Sequence, residues 1–321
     1  MRNKMKAMVI YEPGGPEKFV LEERAIPSVK EGWTLVKIKG FGINHSEIFT
    51  RKGLSPTVQF PRILGIECVG QVVETTRRDL QEGQKIVSIM GEMGRAYDGS
   101  YAEYVLLPNE QIYPVDSQLS WAELAAIPET YYTAFGSFKN MQIKEGDSIL
   151  VRAATSGVGL AFLKLVKAQF PQNRVVGAVR SLAKKDLLQQ QGFDEIILDE
   201  RGVLQTEEKF DKILELVGPA TLKNSFDHIQ SAGIICNTGQ LGGKWYVEEF
   251  DPIVEIRNNS YLTSFYSGNV HQQLIDELFS YIDAYKINVS PQRIFSLEQI
   301  PAAHSYIESQ AGFGKVVVLN N

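Results

Sequence analysis

The sequence predicts an α/β protein of two domains: a folded-over, barrel-like β domain into which a doubly wound parallel sheet is inserted. Three features of its 321 residues carry that expectation. The N-terminal stretch holds short apolar runs separated by Gly, Pro and charged turns. From Ser148 apolar strands alternate with amphipathic helical segments. After about Phe250 the patterning is mixed again and ends in a strand. Single cores rarely grow past about 250–300 residues, so this length favours two.

Taken in order, Ala7–Tyr11, Thr34–Ile38, Val69–Glu74 and Lys85–Ile89 read as strands, and their irregular spacing suits a barrel-like sheet. Trp121–Ile127 and Thr133–Lys139 carry apolar residues at helical steps. Ser148–Ala153 then reads as a strand, Leu160–Phe170 as a helix, Val175–Val179 as a second strand and Ala183–Gln191 as a second helix. Glu195–Leu198, Lys212–Leu216 and Ile234–Thr238 are further strands. Such β/α alternation implies a parallel, doubly wound sheet. A helix at Gln272–Tyr285 and a strand at Lys315–Leu319 close the chain's return.

Composition narrows the function. The chain is 44% hydrophobic and 22% charged with a net charge of −5, so a phosphate backbone is not an expected partner. No apolar run reaches the roughly 18 residues of a membrane span, and the basic Met1–Lys6 start is too short-cored for a signal peptide. Two cysteines, Cys68 and Cys236, far apart in sequence, read as a cytoplasmic protein without a disulfide framework.

The most informative segment runs from Ile149 to Ala161: an apolar strand, a small-residue turn at Thr155-Ser156-Gly157-Val158-Gly159, then an amphipathic helix. Small residues let the backbone approach a pyrophosphate, and the helix presents free N–H groups and its positive dipole end to the anion. Ala153 and Ser156 stand where the strict glycine pattern favours Gly, so a ligand-free tight turn is the alternative. The end of the next strand discriminates between nucleotides. An NAD site places Asp or Glu about 20 residues on, to accept the ribose 2′-hydroxyl. Here Val175–Val179 runs into Arg180-Ser181-Leu182-Ala183-Lys184-Lys185, with no carboxylate before Asp186. Arg180 and Lys184 or Lys185 attract a 2′-phosphate and Ser181 offers a neutral donor, so NADPH is the expected cofactor. A merely solvated helix start is the alternative for one of the lysines.

With these residues in hand, the chain resembles the medium-chain dehydrogenase/reductase superfamily, in its zinc-independent, quinone oxidoreductase-like branch. The resemblance rests on Gly42-Ile43-Asn44 with Glu47 and Arg51-Lys52-Gly53, on Pro61–Gly70, on Asp98–Tyr104, on Ala126-Ile127-Pro128, on the Thr155–Gly159 turn and on Gly314–Val318. It implies a GroES-like domain from residues 1–122 and 257–321, with a Rossmann domain at 123–256. In the alcohol dehydrogenase branch a Cys stands at the position of Asn44 and a His at that of Ile66, and both bind zinc. Neither is present here, nor are the closely spaced cysteines of a structural zinc lobe, so no metal is expected. His45, Glu67 and Cys68 match no zinc spacing. His228, His271 and His304 read as ordinary polar packing in helical or surface stretches.

The resemblance further implies hydride transfer from NADPH to an acceptor that needs little Lewis-acid help, a quinone or an α,β-unsaturated carbonyl. Asn44 is then the polar group near the nicotinamide or the acceptor oxygen. Arg51 steadies its loop or stabilises developing charge, and Tyr131 lines the substrate site. Phe49 stands where the branch often has a Tyr, which weakens any transferred catalytic tyrosine, and water is an equal candidate for the proton source. Thr133, Val217, Gly239 and Phe265 are further cofactor contacts, and Lys315 reaches a phosphate or the nicotinamide end, with surface packing as its alternative. A homodimer follows from family habit. Two rival readings stay open: an enoyl-thioester reductase, for which Arg51, Lys52 and Arg62 would form a basic entrance, and a low-turnover NADPH-binding sensor.

Overall fold

The computed structural model describes residues 3–309 and 311–320. In chain order the N-terminal stretch forms β1 (Lys4–Ile10), β2 (Phe19–Ala25), β3 (Trp33–Ile43), α1 (His45–Arg51), β4 (Arg62–Ile63), β5 (Glu67–Thr75), β6 (Lys85–Ile89), β7 (Tyr104–Pro108) and β8 (Tyr113–Pro114). Helices α2 (Trp121–Ala125) and α3 (Pro128–Asn140) follow. The alternating stretch forms β9 (Ile149–Arg152), α4 (Gly157–Gln169), β10 (Val175–Val179), α5 (Lys185–Gln191), β11 (Glu195–Glu200), β12 (Val203–Leu204), β13 (Phe210–Glu215), α6 (Leu222–Asp227), β14 (Ile229–Asn237), α7 (Pro252–Glu255) and β15 (Tyr261–Ser264). The return comprises α8 (Gln272–Ala284), β16 (Arg293–Ser296), α9 (Ile300–Glu308) and β17 (Val316–Leu319).

Packing divides the described residues into two units. Unit 1 takes Met1–Tyr132, Ser267–Ser280 and Val289–Asn321; unit 2 takes Thr133–Tyr266 and Tyr281–Asn288. The changes of unit fall later than the 122/123 and 256/257 breaks read from the sequence. Patterning registers where strands give way to helices, whereas packing registers which core a side chain shares.

Unit 1 contains a seven-stranded sheet in the order β16-β17-β3-β5-β6-β8, with β7 also paired to β3, and a three-stranded sheet β2-β1-β4. The long β3 is its hub, pairing antiparallel with β5 and β7 along its earlier part and with β17 at its end. Val36, Ile38, Phe41, Leu64, Tyr101 and Val318 fill the core. The C-terminal strand therefore lies beside β3, as a GroES-like domain with a C-terminal return requires.

Unit 2 is a doubly wound sheet in the order β12-β11-β10-β9-β13-β14-β15. Apart from the short antiparallel β12, neighbours are parallel. From β11 to β15 the succession is the 3-2-1-4-5-6 order of a Rossmann domain, which reverses between β9 and β13 and opens a ligand crevice at their carboxyl ends. Its strands are buried on both faces and read as near-continuous apolar runs, which is why they were legible.

A buried cation ends the first of these strands. Arg152, the last residue of β9, is fully buried. Its Nε and Nη2 donate to Asp199 Oδ2 at 3.1 and 2.6 Å, and Nη2 also donates to the Gly202 carbonyl. Its Nη1 donates to the Thr221 carbonyl, Asn224 and Ser225. Glu215, at the end of β13, lies 3.7 Å from Nε and accepts from Ser225 Oγ and from the N–H groups of Val217 and Gly218. The guanidinium thus ties the carboxyl ends of β9, β11 and β13 to α6. Removing one partner of a buried ion cluster leaves uncompensated charge. Arg152→Met is therefore expected to lower stability by about 3–5 kcal/mol in urea unfolding. Adding Asp199→Asn and Glu215→Gln to it should recover part of the loss, and an Arg152→Met protein as stable as the parent would contradict the role assigned to this cluster.

Candidate active site

In unit 2 the turn after β9 is shaped for a phosphate. Ala153 adopts φ 59, in the left-handed region. Ser156 caps α4 by accepting from the Gly159 N–H at 3.1 Å. A Cβ on Gly159 would stand 3.0 Å from the Ala153 carbonyl and 3.1 Å from Ser156 Oγ, so the helix start packs closely on the strand end. Thr155, Ser156, Gly157 and Val158 remain half-buried rather than sealed, at the head of a 13-residue helix. Across the switch point, Val217 leads into Gly218 (φ 91), where a Cβ would stand 2.3 Å from the Gly239 carbonyl. A Cβ on Gly239 would stand 2.0 Å from the Leu216 carbonyl. The two loops touch through backbone, and only glycine permits that approach.

The structure places Arg180 and Ser181 exposed at the carboxyl end of β10, with Lys184 half-buried beside them. Ser181 Oγ accepts from the Ala183 N–H, and burial lowers the Lys184 pKa. Thr133 is nearly buried, its carbonyl accepting from Ser137 Oγ. The Phe265 ring covers Gly136 of α3, where a Cβ would stand 2.1 Å from it. The chemistry of this donor set fits a dinucleotide: free helix N–H groups at a switch point, and a carboxylate-free, basic tip on the second strand.

In unit 1 the predicted Asn44 and Lys315 are brought together by Glu67, weighed from the sequence only as a metal ligand. Asn44 occupies the N-cap position of α1, yet its side chain makes no capping bond. Its Nδ2 instead donates to Glu67 Oε1 at 2.8 Å, and its Oδ1 accepts from Lys315 Nζ at 2.7 Å. Lys315 Nζ also donates to Glu67 Oε1 at 2.6 Å. Glu67 Oε2 accepts the Glu129 N–H in the first turn of α3 at 2.7 Å. Glu67 is wholly buried, and Lys315 nearly so, which removes surface packing as an account of Lys315. The signal available in the sequence was a carboxylate directly before the apolar run Cys68-Val69-Gly70.

Beside this trio Glu47 is buried with neither carboxyl oxygen hydrogen-bonded. Burial, reinforced by the Glu67 carboxylate, pushes its pKa up to about 8. Arg51 does not join the Asn44 cluster. It is fully buried, and its Nη2 pairs with Glu308 Oε2 at 2.5 Å. Lys52 pairs with the same carboxylate, and Arg62 pairs with Asp98. A basic entrance built from Arg51, Lys52 and Arg62 is thereby corrected: Arg51 is fully buried, and each of the three cations is paired with a carboxylate, Arg51 and Lys52 sharing Glu308. Tyr131 is buried, and burial raises its phenol well above its ordinary pKa. His304 lies in α9, on its buried face. It is fully buried, its Nε2 lies 2.9 Å from Tyr101 Oη, and burial, with the Arg51 and His45 charges, brings its pKa down to about 3. Among the described residues no group of three or more His, Cys, Asp or Glu side chains is arranged to hold a metal ion, and no helix is long and apolar enough to cross a membrane.

Residues 30–117 match the family model described as an alcohol dehydrogenase GroES-like domain, and residues 191–318 match the one described as a zinc-binding dehydrogenase. A quinone oxidoreductase of Sus scrofa is 23% identical over 98% of either chain. An NADPH-dependent alkenal/one oxidoreductase of Arabidopsis thaliana is 25% identical over 98% of this chain and 79% of its own length. Among solved structures, the quinone oxidoreductase from Coxiella burnetii superposes with a TM-score of 0.85 at 23% identity, covering 99% of this chain and 100% of its own.

The raised pKa of Glu47 makes stability depend on pH. The unfolded chain releases this proton near its ordinary value of 4.5, whereas the folded protein holds it until about 8. Between those values the native state binds more protons, so Glu47 makes folding progressively less favourable as pH rises, and constant thereafter. Glu47→Gln should melt close to the parent at pH 5 and several degrees above it at pH 8. A melting difference that does not grow across this range would refute the assignment.

Proposed function

Because the chain belongs to the medium-chain dehydrogenase/reductase superfamily and is quinone oxidoreductase-like, we propose that it is an NADPH-dependent oxidoreductase that reduces a quinone or an α,β-unsaturated carbonyl without a metal. The observation that carries this reading is the switch point of unit 2, where the Thr155–Gly159 turn heads α4 and the second strand ends in Arg180 and Ser181 instead of a carboxylate. When bound, NADPH supplies a hydride. The α4 N-terminus would hold its pyrophosphate, and Arg180, Ser181 and Lys184 its 2′-phosphate. Thr133, Val217, Gly239 and Phe265 would bound the rest. The quinone and alkenal/one oxidoreductases of pig, Arabidopsis and Coxiella that the chain is similar to support the acceptor class.

On the acceptor side, Asn44 is fixed by Glu67 and Lys315 and presents an amide in place of a metal ligand. Conjugation spreads the charge that develops on the acceptor oxygen, so oriented N–H donors suffice. Arg51, anchored by Glu308, steadies the end of α1, and Tyr131 lines the site. The domains of the enzyme are those of units 1 and 2. Cys68 and Cys236, both free and buried, agree with a cytoplasmic protein. Strand β15 is the last of its sheet, with Tyr261 and Leu262 exposed, which supports a homodimer formed through that edge.

The test is the initial rate of NADPH and NADH oxidation with 1,4-benzoquinone, 9,10-phenanthrenequinone and an enone, with and without EDTA. Fast oxidation favouring NADPH and insensitive to EDTA is expected. Loss in EDTA would overturn the metal-free reading, and tight NADPH binding without turnover would favour the sensor. Arg180→Ala should raise the KM for NADPH roughly 10–100-fold, as loss of a charged hydrogen bond implies, and leave that for NADH unchanged. Leu262→Lys should convert a dimer to monomer in light scattering; a parent that elutes as a monomer would end that part of the proposal.

A further inference from the structure

The Lys315 ammonium is fixed from several sides. An ammonium has three N–H donors. Two are committed, to Asn44 Oδ1 at 2.7 Å and Glu67 Oε1 at 2.6 Å, and none of the described residues takes the third. Strand β3 passes so close that a Cβ on Gly42 would stand 2.3 Å from Lys315 Nζ and 2.2 Å from its Cε. Glycine at 42 is therefore a space requirement of the cation. Asn44 forgoes its capping bond to hold it, and Glu67 is held in turn by the Glu129 N–H. A lysine that only met a mobile nucleotide phosphate would need none of this.

We infer that Lys315 is a catalytic residue whose remaining N–H bonds the carbonyl oxygen of the conjugated acceptor and stabilises the oxyanion formed there. This rests on the reductase reading above and moves Lys315 from cofactor phosphate to substrate oxygen. In the reaction NADPH is oxidised to NADP⁺, and the far end of the conjugated system, the β-carbon of an enone or the second carbonyl oxygen of a quinone, gains the hydride with its electron pair. The double-bond pair shifts to leave an enolate or phenolate oxygen, and a solvent proton completes the reduction. Lys315 keeps its proton throughout. Glu67 partly neutralises it, so the two residues act on the oxyanion with opposite sign.

4-Nitrophenol tests this directly, since its acid and phenolate forms absorb at different wavelengths and the phenolate mimics the oxyanion. Titrated with the full-length protein in excess NADP⁺, the bound probe should have its pKa lowered by about one unit, as a facing cation implies. An excess of 9,10-phenanthrenequinone should abolish the shift. Lys315→Met should remove it and Glu67→Gln should deepen it, a pair of opposite responses that a purely structural role would not produce. Wild-type protein that does not bind the probe, or binds it unshifted, overturns the inference, as does a Lys315→Met variant that shifts it like wild type. Should Lys315→Met not fold, Lys315→Met with Glu67→Gln leaves no unpaired charge and should show no shift. The Glu67→Gln arm stands by itself, and an unchanged or weakened shift there also overturns the role. Wild-type NADPH oxidation by 9,10-phenanthrenequinone separates the two readings. Its absence sinks the reductase, whereas normal turnover with an unshifted probe sinks only the role of Lys315.

Discussion

Glu67 accepts hydrogen bonds from three distant stretches of chain: Asn44 at the head of α1, Lys315 just before β17 and the Glu129 N–H at the start of α3. A buried carboxylate is tolerated only when its lone pairs are occupied and its charge is matched. The site follows from that requirement. It explains why the C-terminal strand must return to β3, why Gly42 carries no side chain and why an asparagine at an N-cap position does not cap. The cost appears next door, where Glu47 has no partner left and keeps its proton well past the usual range.

Unit 2 solves the mirror-image problem. Its obligatory charge is a cation, Arg152, placed where three parallel strands end. The carboxylates that match it also organise the crevice: Glu215 accepts the Val217 and Gly218 N–H groups that begin the loop facing Gly239. In each unit a buried ion set at strand ends fixes the backbone that carries candidate binding groups, and its partners come from elements far apart in sequence.

Parallel strands buried on both faces leave unbroken apolar runs, so β10 was read from the sequence residue for residue and the parallel, doubly wound class followed from alternation, whereas the strand order came from the fold. Strand β2 was not read. Its Phe19–Ala25 segment is largely exposed and charged, and it is a strand only because it pairs with β1 along its length. The Thr155–Gly159 turn and the Arg180 tip are local signals, and both lie where a local reading put them. Glu67, Arg51 and Arg152 were obscure for the opposite reason. Their meaning resides in partners such as Lys315, Glu308 and Asp199, which only the fold brings near. A lone arginine ending an apolar strand looks like a solvated terminus until its burial is known.

The ammonium at Asn44 also bears on how such a protein could change its chemistry. A divalent cation bound at position 44 would face a like charge that the fold holds 2.7 Å from that side chain. Installing metal ligands there one at a time would therefore meet repulsion before any ligand field forms. Removing Lys315 first would leave the Glu67 carboxylate buried and unmatched. The two charges are therefore coupled, and a substitution at either position leaves its partner buried and unmatched.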